Sequence, residues 1–276
     1  MFTGVVLALC SALVWGTGDF CGGRASTKLD AYQVLGLSAV SGIVMLILLA
    51  LATGESLTVD RQLFPAIAAG ISTSLGIACL YRGLSVGSAA VVAPTAGVVA
   101  ALLPVVYSAV ADGMPGAPRL AGFGLALIGI YLVARAAPDA SRGRAGLRLG
   151  VLAGLGFGGF LVLIGQGPQG AVFVPLAVSR VVMLLVSIAL MAWRGLAFPT
   201  PVASPIGTLA GVLDAGGTAF YVLAQQFVRL DVAAVLSSFY PAATVVLSRV
   251  VGHERVTGTQ WIGAVLCVLA IALIAV

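Results

Sequence analysis

The chain has 276 residues, 61% of them hydrophobic and only 8% charged, with a formal net charge of +5. Mean hydropathy is +1.15, and so little polar surface excludes a soluble globule, which needs polar groups to coat it. The cations stand singly at span ends apart from Arg142, Arg144 and Arg148, a scatter that excludes a nucleic-acid-binding stripe and reads as interfacial anchoring.

A helix needs about 20 mostly apolar residues to cross a hydrocarbon core of roughly 30 Å, whereas a spanning barrel would show period-2 alternation. Continuous apolar runs dominate here. They predict spans at 4–21, 32–51, 64–83, 89–110 and 120–135, and, beyond a linker at 138–144, at 149–165, 173–193, 206–228, 232–251 and 260–276. The expectation is an all-α integral membrane protein with ten transmembrane helices and no soluble domain. The first span lacks the basic region of a signal peptide and is expected to stay in the mature protein. Cys10, Cys21, Cys79 and Cys267 show no paired spacing and read as small packing residues.

The segment AVSGIVML at 39–46 returns as AVSRVVML at 177–184. The register holds elsewhere: Trp15 matches Phe157, Gly70, Gly76 and Ala78 match Gly211, Gly217 and Ala219, and Gly122 matches Gly263. Residues 1–137 and 145–276 therefore read as two copies of a five-span unit. An odd number of spans makes consecutive copies enter the membrane in opposite orientation, which gives two inverted five-helix repeats. Transporters obtain two access states from that arrangement, with the site at the repeat interface. Ala8, Ala12 and Gly16 correspond to Gly150, Gly154 and Gly158, small residues at helical spacing that let backbones approach closely. WGTGDFCGG closes a membrane helix and follows no strand, so it is not a dinucleotide loop.

Ionisable groups deep in a span are costly and are usually kept for a cavity or a partner. Asp19, Arg180 and Asp214 qualify. On the eighth span Asp214, Thr218, Tyr221 and Gln225 share one narrow stripe, and Ser11, Trp15 and Asp19 form a similar row on the first. Two such faces can line one cavity. Arg180 and Asp214 sit on consecutive spans and are expected to pair, since an unpaired buried charge is strongly disfavoured. Their repeat counterparts are Gly42 and Thr73, so the frame folds without charge there. The substrate pathway is accordingly assigned to Trp15, Asp19, Arg180, Asp214, Thr218, Tyr221 and Gln225. Pro94, Pro104, Pro175 and Pro241 are expected to kink their helices. His253 has no second ligand nearby in sequence, and no metal or cofactor is expected.

The stretch AVLSSFYPAATVVLSRVVGHERVTGTQWIGAV at 234–265, with Pro241, Glu254, Arg255 and Gly263, resembles the ninth helix, short loop and tenth helix of the EamA family of drug/metabolite transporters. LYRGLSVGSAAVVAP at 80–94 and SALVWGTGDF at 11–20 resemble the first-half elements. The resemblance spans the chain and implies secondary transport of small metabolites, amino acids or drugs through a cavity lined by both halves. Arg180 falls where the family often carries an arginine. Gly42 and Asp112-Gly113 depart from the pattern in the first half.

The expected partners are a small-molecule substrate, the lipid bilayer and, for a coupled carrier, protons titrating Asp19 or Asp214; nucleic acid is not expected, and the chain is a monomer or homodimer. The resemblance implies a cell-membrane protein with both termini cytoplasmic. The positive-inside rule opposes that orientation, because Arg24, Lys28, Arg82, Arg135, Arg142, Arg144, Arg148, Arg194, Arg249 and Arg255 crowd the odd-numbered loops. Two alternatives to transport are a structural or regulatory membrane subunit and a membrane-embedded lipid-modifying enzyme. The second would call for clustered acids, histidines or a metal site, and the chain holds one His and no acidic pair within a loop.

Overall fold

The computed structural model describes residues 1–56, 63–86, 89–134, 143–168, 170–251 and 257–274. Among them the regular structure is helical: α1 (Phe2–Ala25), α2 (Ala31–Thr53), α3 (Phe64–Val86), α4 (Ala89–Ala111), α5 (Ala117–Ala134), α6 (Gly143–Ile164), α7 (Phe173–Arg194), α8 (Pro205–Gln225), α9 (Leu230–Ser237), α10 (Tyr240–Val250) and α11 (Gly258–Ile274). Five of these, α1, α2, α6, α7 and α8, are long and apolar enough to cross a membrane over their described residues.

Local chemistry sets the ends. Asp30 and Gln33 form a reciprocal capping box at the start of α2, and Gly54, at φ +73°, supplies the left-handed residue that stops it. Ser204 accepts from the Gly207 N–H ahead of α8, with Pro205 in the first turn. One expectation needs correction. The span at 232–251 is not one helix: it breaks at Ser238–Phe239 into α9 and α10, just ahead of Pro241 in the first turn of α10. Proline has no N–H to donate to the carbonyl four residues back, so the break falls there. Of the linker expected at 138–144, residues 138–142 lie outside the described residues, and α6 begins at Gly143.

Packing directions follow from close contacts. α1 runs antiparallel to α8, with Gly4 against Val228, Gly18 against Asp214, and Gly22 against Ala210. α3 runs antiparallel to α6 in the same way, Gly76 lying against Ala153 and Phe157 and Gly83 against Leu149. The small-residue seam of α6 packs parallel on α4, with Gly150 on Val92, Gly154 on Ala96 and Val99, and Gly158 on Ala100 and Leu103. The seam of α1 packs parallel on α9 and α10, where Gly16 meets Tyr240 and Ala243 and the Ser237 hydroxyl donates to the Ala8 carbonyl at 3.3 Å. α2 crosses α7 and α5 crosses α11, both antiparallel. Except at Gly22, where the nearest atom stands 3.9 Å away, a Cβ at these glycines would meet neighbouring backbone or side chain at short range, which is why the close helix pairs are built on them.

The distribution of side chains is inverted relative to a soluble bundle. Alanines such as Ala8, Ala39, Ala69, Ala153 and Ala224 are fully buried, while Leu48, Leu75, Leu185 and Val268 face outward. That exterior suits lipid, and the polar groups are left inside.

Candidate functional site: a central cavity walled by both halves

Between the helices lies a cavity of about 520 Å³. Its walls come from α1 and the residue after it (Trp15, Gly18, Asp19, Gly22, Gly23, Ser26), α2 (Val34, Leu35, Ser38), α3 (Thr73, Ile77, Leu80), α4 (Gly97, Ala100), α6 (Phe157, Phe160, Leu161), α7 (Ser179, Arg180, Met183), α8 (Ala210, Asp214, Thr218) and the α9–α10 break (Ser238, Tyr240). The wall reaches the α1–α2 turn, where Gly23 and Ser26 are exposed, so the mouth lies on that face. Towards the opposite face, where Met1 lies, the interior is filled: Tyr221, Ala224 and residues 231–236 are buried.

The inner part of the cavity holds one polar network. Arg180, only 5% exposed, is ion-paired through Nη1 to Asp214 Oδ2. Its Nη2 donates to Thr218 Oγ1 at 3.0 Å. The Thr218 hydroxyl in turn donates to the Asp214 carbonyl at 2.8 Å and accepts from Trp15 Nε1 at 3.2 Å. One donor and two lone pairs are thus all used, which fixes the hydroxyl and everything bonded to it. The indole of Trp15 fits because residue 217 is glycine; a Cβ there would lie 2.5 Å from Trp15 Cδ1. The ring also stands edge-on to Tyr240, with centroids 6.3 Å apart. Asp19, one turn along α1, is exposed to the cavity and has no ion-pair partner among the described residues.

Five of the seven residues assigned to the pathway meet at this cavity: Trp15, Asp19, Arg180, Asp214 and Thr218. Tyr221 and Gln225 do not. Tyr221 is fully buried, its hydroxyl donating to the Leu161 carbonyl at 2.8 Å. Gln225 packs on Gly165, and its Nε2 has no hydrogen-bond partner among the described residues. The stripe continues along α8, but the cavity ends where α6 closes against it, so helical periodicity alone overextends the site. Ser11 is likewise a packing residue, donating to the Gly217 carbonyl at 2.7 Å.

The prolines divide in the same way. Pro104 is buried inside α4, which runs continuously through both Pro94 and Pro104; the Pro94 side chain is outside the described set. Pro175 does not kink α7, because it stands in the first turn, where its missing N–H has no helical partner to lose. Pro241 stands just after the α9–α10 break, which borders the cavity. His253, Glu254 and Arg255 lie outside the described residues.

Sequence reasoning missed Tyr240, Ser238, Phe160 and Ser38 as wall residues. A signal existed for two others: Phe157 and Thr73, the repeat counterparts of Trp15 and Asp214, also line the cavity. Gly42, the counterpart of Arg180, lies against it, a Cβ there coming 3.9 Å from Arg180 Cδ.

A model of the EamA-like transporter family matches residues 2–135 and again residues 144–276. A solved crystal structure superposes over 98% of this chain and 95% of its own, with a TM-score of 0.75 and 21% sequence identity, a likeness that establishes the fold. No curated protein matches the chain. A family match over nearly the whole length, carried on a helical frame with an apolar exterior and a charged central cavity, makes the chain a multi-pass membrane protein of the EamA-like transporter family, whose members move small molecules and are not enzymes.

Proposed function

We propose that the chain carries small amphipathic metabolites, amino acids or drugs across the membrane by alternating access between two inverted five-helix repeats, 1–137 and 145–276. The observation that carries this reading is the central cavity, walled by helices of both halves, charged at its inner part and, among the described residues, lined out to the exposed α1–α2 turn. Opposite orientation of the halves is supported by helix directions: α1 is antiparallel to α8 just as α6 is antiparallel to α3, and the seams of α1 and α6 each pack parallel on the fourth spans of the other half. Exchanging the halves maps each of these contacts onto another. A frame with that property has two equivalent ways to close, one at each face.

Trp15, Asp19, Arg180, Asp214 and Thr218 form the solute site in this proposal, with the α9–α10 break as a deformable wall. Purified protein in liposomes is expected to move a solute identified by comparing the medium and cell contents of cells with and without overexpression. Asp214→Asn and Arg180→Ala are expected to lower that flux while the protein stays folded. Wild-type flux in both variants would remove these residues from the pathway, and absence of any flux would leave a structural or regulatory subunit.

A further inference from the structure

We propose that the solute taken by this cavity is an organic cation, an ammonium group on an apolar body, and that Asp19 is the residue that selects it. The inference rests on the transport site described above and goes on to name its substrate class.

Formal charge in the wall comes from three side chains, Asp19, Asp214 and Arg180. Arg180 and Asp214 cancel through their ion pair. Two of the guanidinium's five N–H groups are committed, one on Nη1 to Asp214 and one on Nη2 to Thr218, and the side chain is only 7% exposed. Among the described wall residues a solute carboxylate therefore finds only a cation that is already paired and largely buried, which argues against anions and zwitterions. Asp19 has no ion-pair partner among the described residues and is exposed to the cavity, so its carboxyl is open to take up an ammonium group. Trp15, Tyr240, Phe157 and Phe160 line the same space, and aromatic faces attract a cation and an apolar body alike. The volume suits a molecule of modest size, within the range of roughly 300–1,000 Å³ usual for ligand pockets.

Three probes of similar shape test the charge rule on the purified full-length chain in detergent: 2-phenylethylammonium, 3-phenylpropionate and phenylalanine, each measured by equilibrium binding. The ammonium is expected to bind at least about tenfold more tightly than either of the others, about 1.4 kcal/mol. In Asp19→Asn that ratio is expected to fall towards one, and in Asp19→Glu to persist, with unchanged thermal midpoints showing that both variants fold. Equal or reversed preference, no binding of the ammonium, or a preference that survives Asp19→Asn overturns the proposal. Asp19-dependent binding without flux in liposomes would instead overturn the transport reading and leave this one standing, whereas flux without charge preference would do the reverse.

Discussion

Cutting the Arg180–Asp214 pair from its two ends should cost unequal amounts, because 7% of the Arg180 side chain is exposed against 39% of that of Asp214. Asp214→Asn strands a full positive charge where almost no water reaches it, and orphaning a buried charge costs about 3–5 kcal/mol. Arg180→Met strands a carboxylate that the cavity still hydrates. What is lost then is two charge-assisted hydrogen bonds, to Asp214 and Thr218, offset by the desolvation that arginine no longer bears, for a net of about 1–2 kcal/mol. The double variant leaves no charge at either place, the situation that Gly42 and Thr73 occupy in the first half, and should lie within about 1 kcal/mol of wild type. The implied coupling energy is about 3 kcal/mol or more. Unfolding by sodium dodecyl sulfate in mixed micelles, followed by tryptophan fluorescence on the four proteins, measures all three differences. An additive double variant, or a larger loss from Arg180→Met than from Asp214→Asn, would refute the idea that burial of the arginine governs the pair.

Three further outcomes are expected. Gly211→Ala places a Cβ on the Ser38 carbonyl and Cα of α2, where backbone cannot yield, and should lower stability by about 3 kcal/mol; Gly23→Ala, with nothing within 4 Å, should leave the thermal midpoint in detergent unchanged. Glu55→Gln weakens a charged cap on α7 and should cost about 1–2 kcal/mol, read as faster amide hydrogen exchange at residues 172–174. Arg229→Met strands Asp231, which is fully buried, and should cost about 3 kcal/mol while accelerating exchange over residues 108–113, where Arg229 holds the carbonyls of Ser108, Asp112 and Gly113.

What could be read in the sequence was periodic or chemically conspicuous. Apolar runs located the spans, and charges inside them marked Arg180 and Asp214 before any contact was visible. Small residues four apart announced close packing, but spacing on one helix does not name the partner, and only the fold sends the α6 seam to α4 and the α1 seam to α9 and α10. Tyr221 shows the opposite failure: it lies on the right face of α8 and too far along it, because a helical wheel has no depth. Glu55 was invisible for a third reason. Its carboxylate meets the start of α7 from 117 positions away in the chain, through backbone N–H groups that no side-chain pattern reports.

Glu55 also bears on how the two faces differ. Under the inverted-repeat proposal each contact at one face has a counterpart at the other. On the Met1 face the turn after α2 reaches the start of α7, where Glu55 accepts from the N–H groups of Val172, Phe173 and Val174 at the positive end of the helix. On the opposite face the end of α7 and the segment after it reach the start of α2 through Gln33 Nε2 donating to the Ala197 carbonyl at 2.8 Å, the Ser187 hydroxyl donating to the Tyr32 carbonyl at 2.9 Å, and the Arg194 guanidinium 5.4 Å over the Tyr32 ring. The Met1 face has a second tie of the charged kind, Arg229 joining Asp231 to the carbonyls of Ser108, Asp112 and Gly113. Hydrogen bonds to charged groups contribute about 1.5–3 kcal/mol against about 1 for neutral ones, so under this proposal the ties of Glu55 and Arg229 favour closure at the Met1 face, a bias towards the state that this cavity displays. A solute can reverse such a bias only by as much as it prefers the other state. In that proposal the symmetric frame supplies both states, while Glu55, Arg229 and the one-sided charge at Arg180 and Asp214 set how much binding energy the passage between them must draw from the solute.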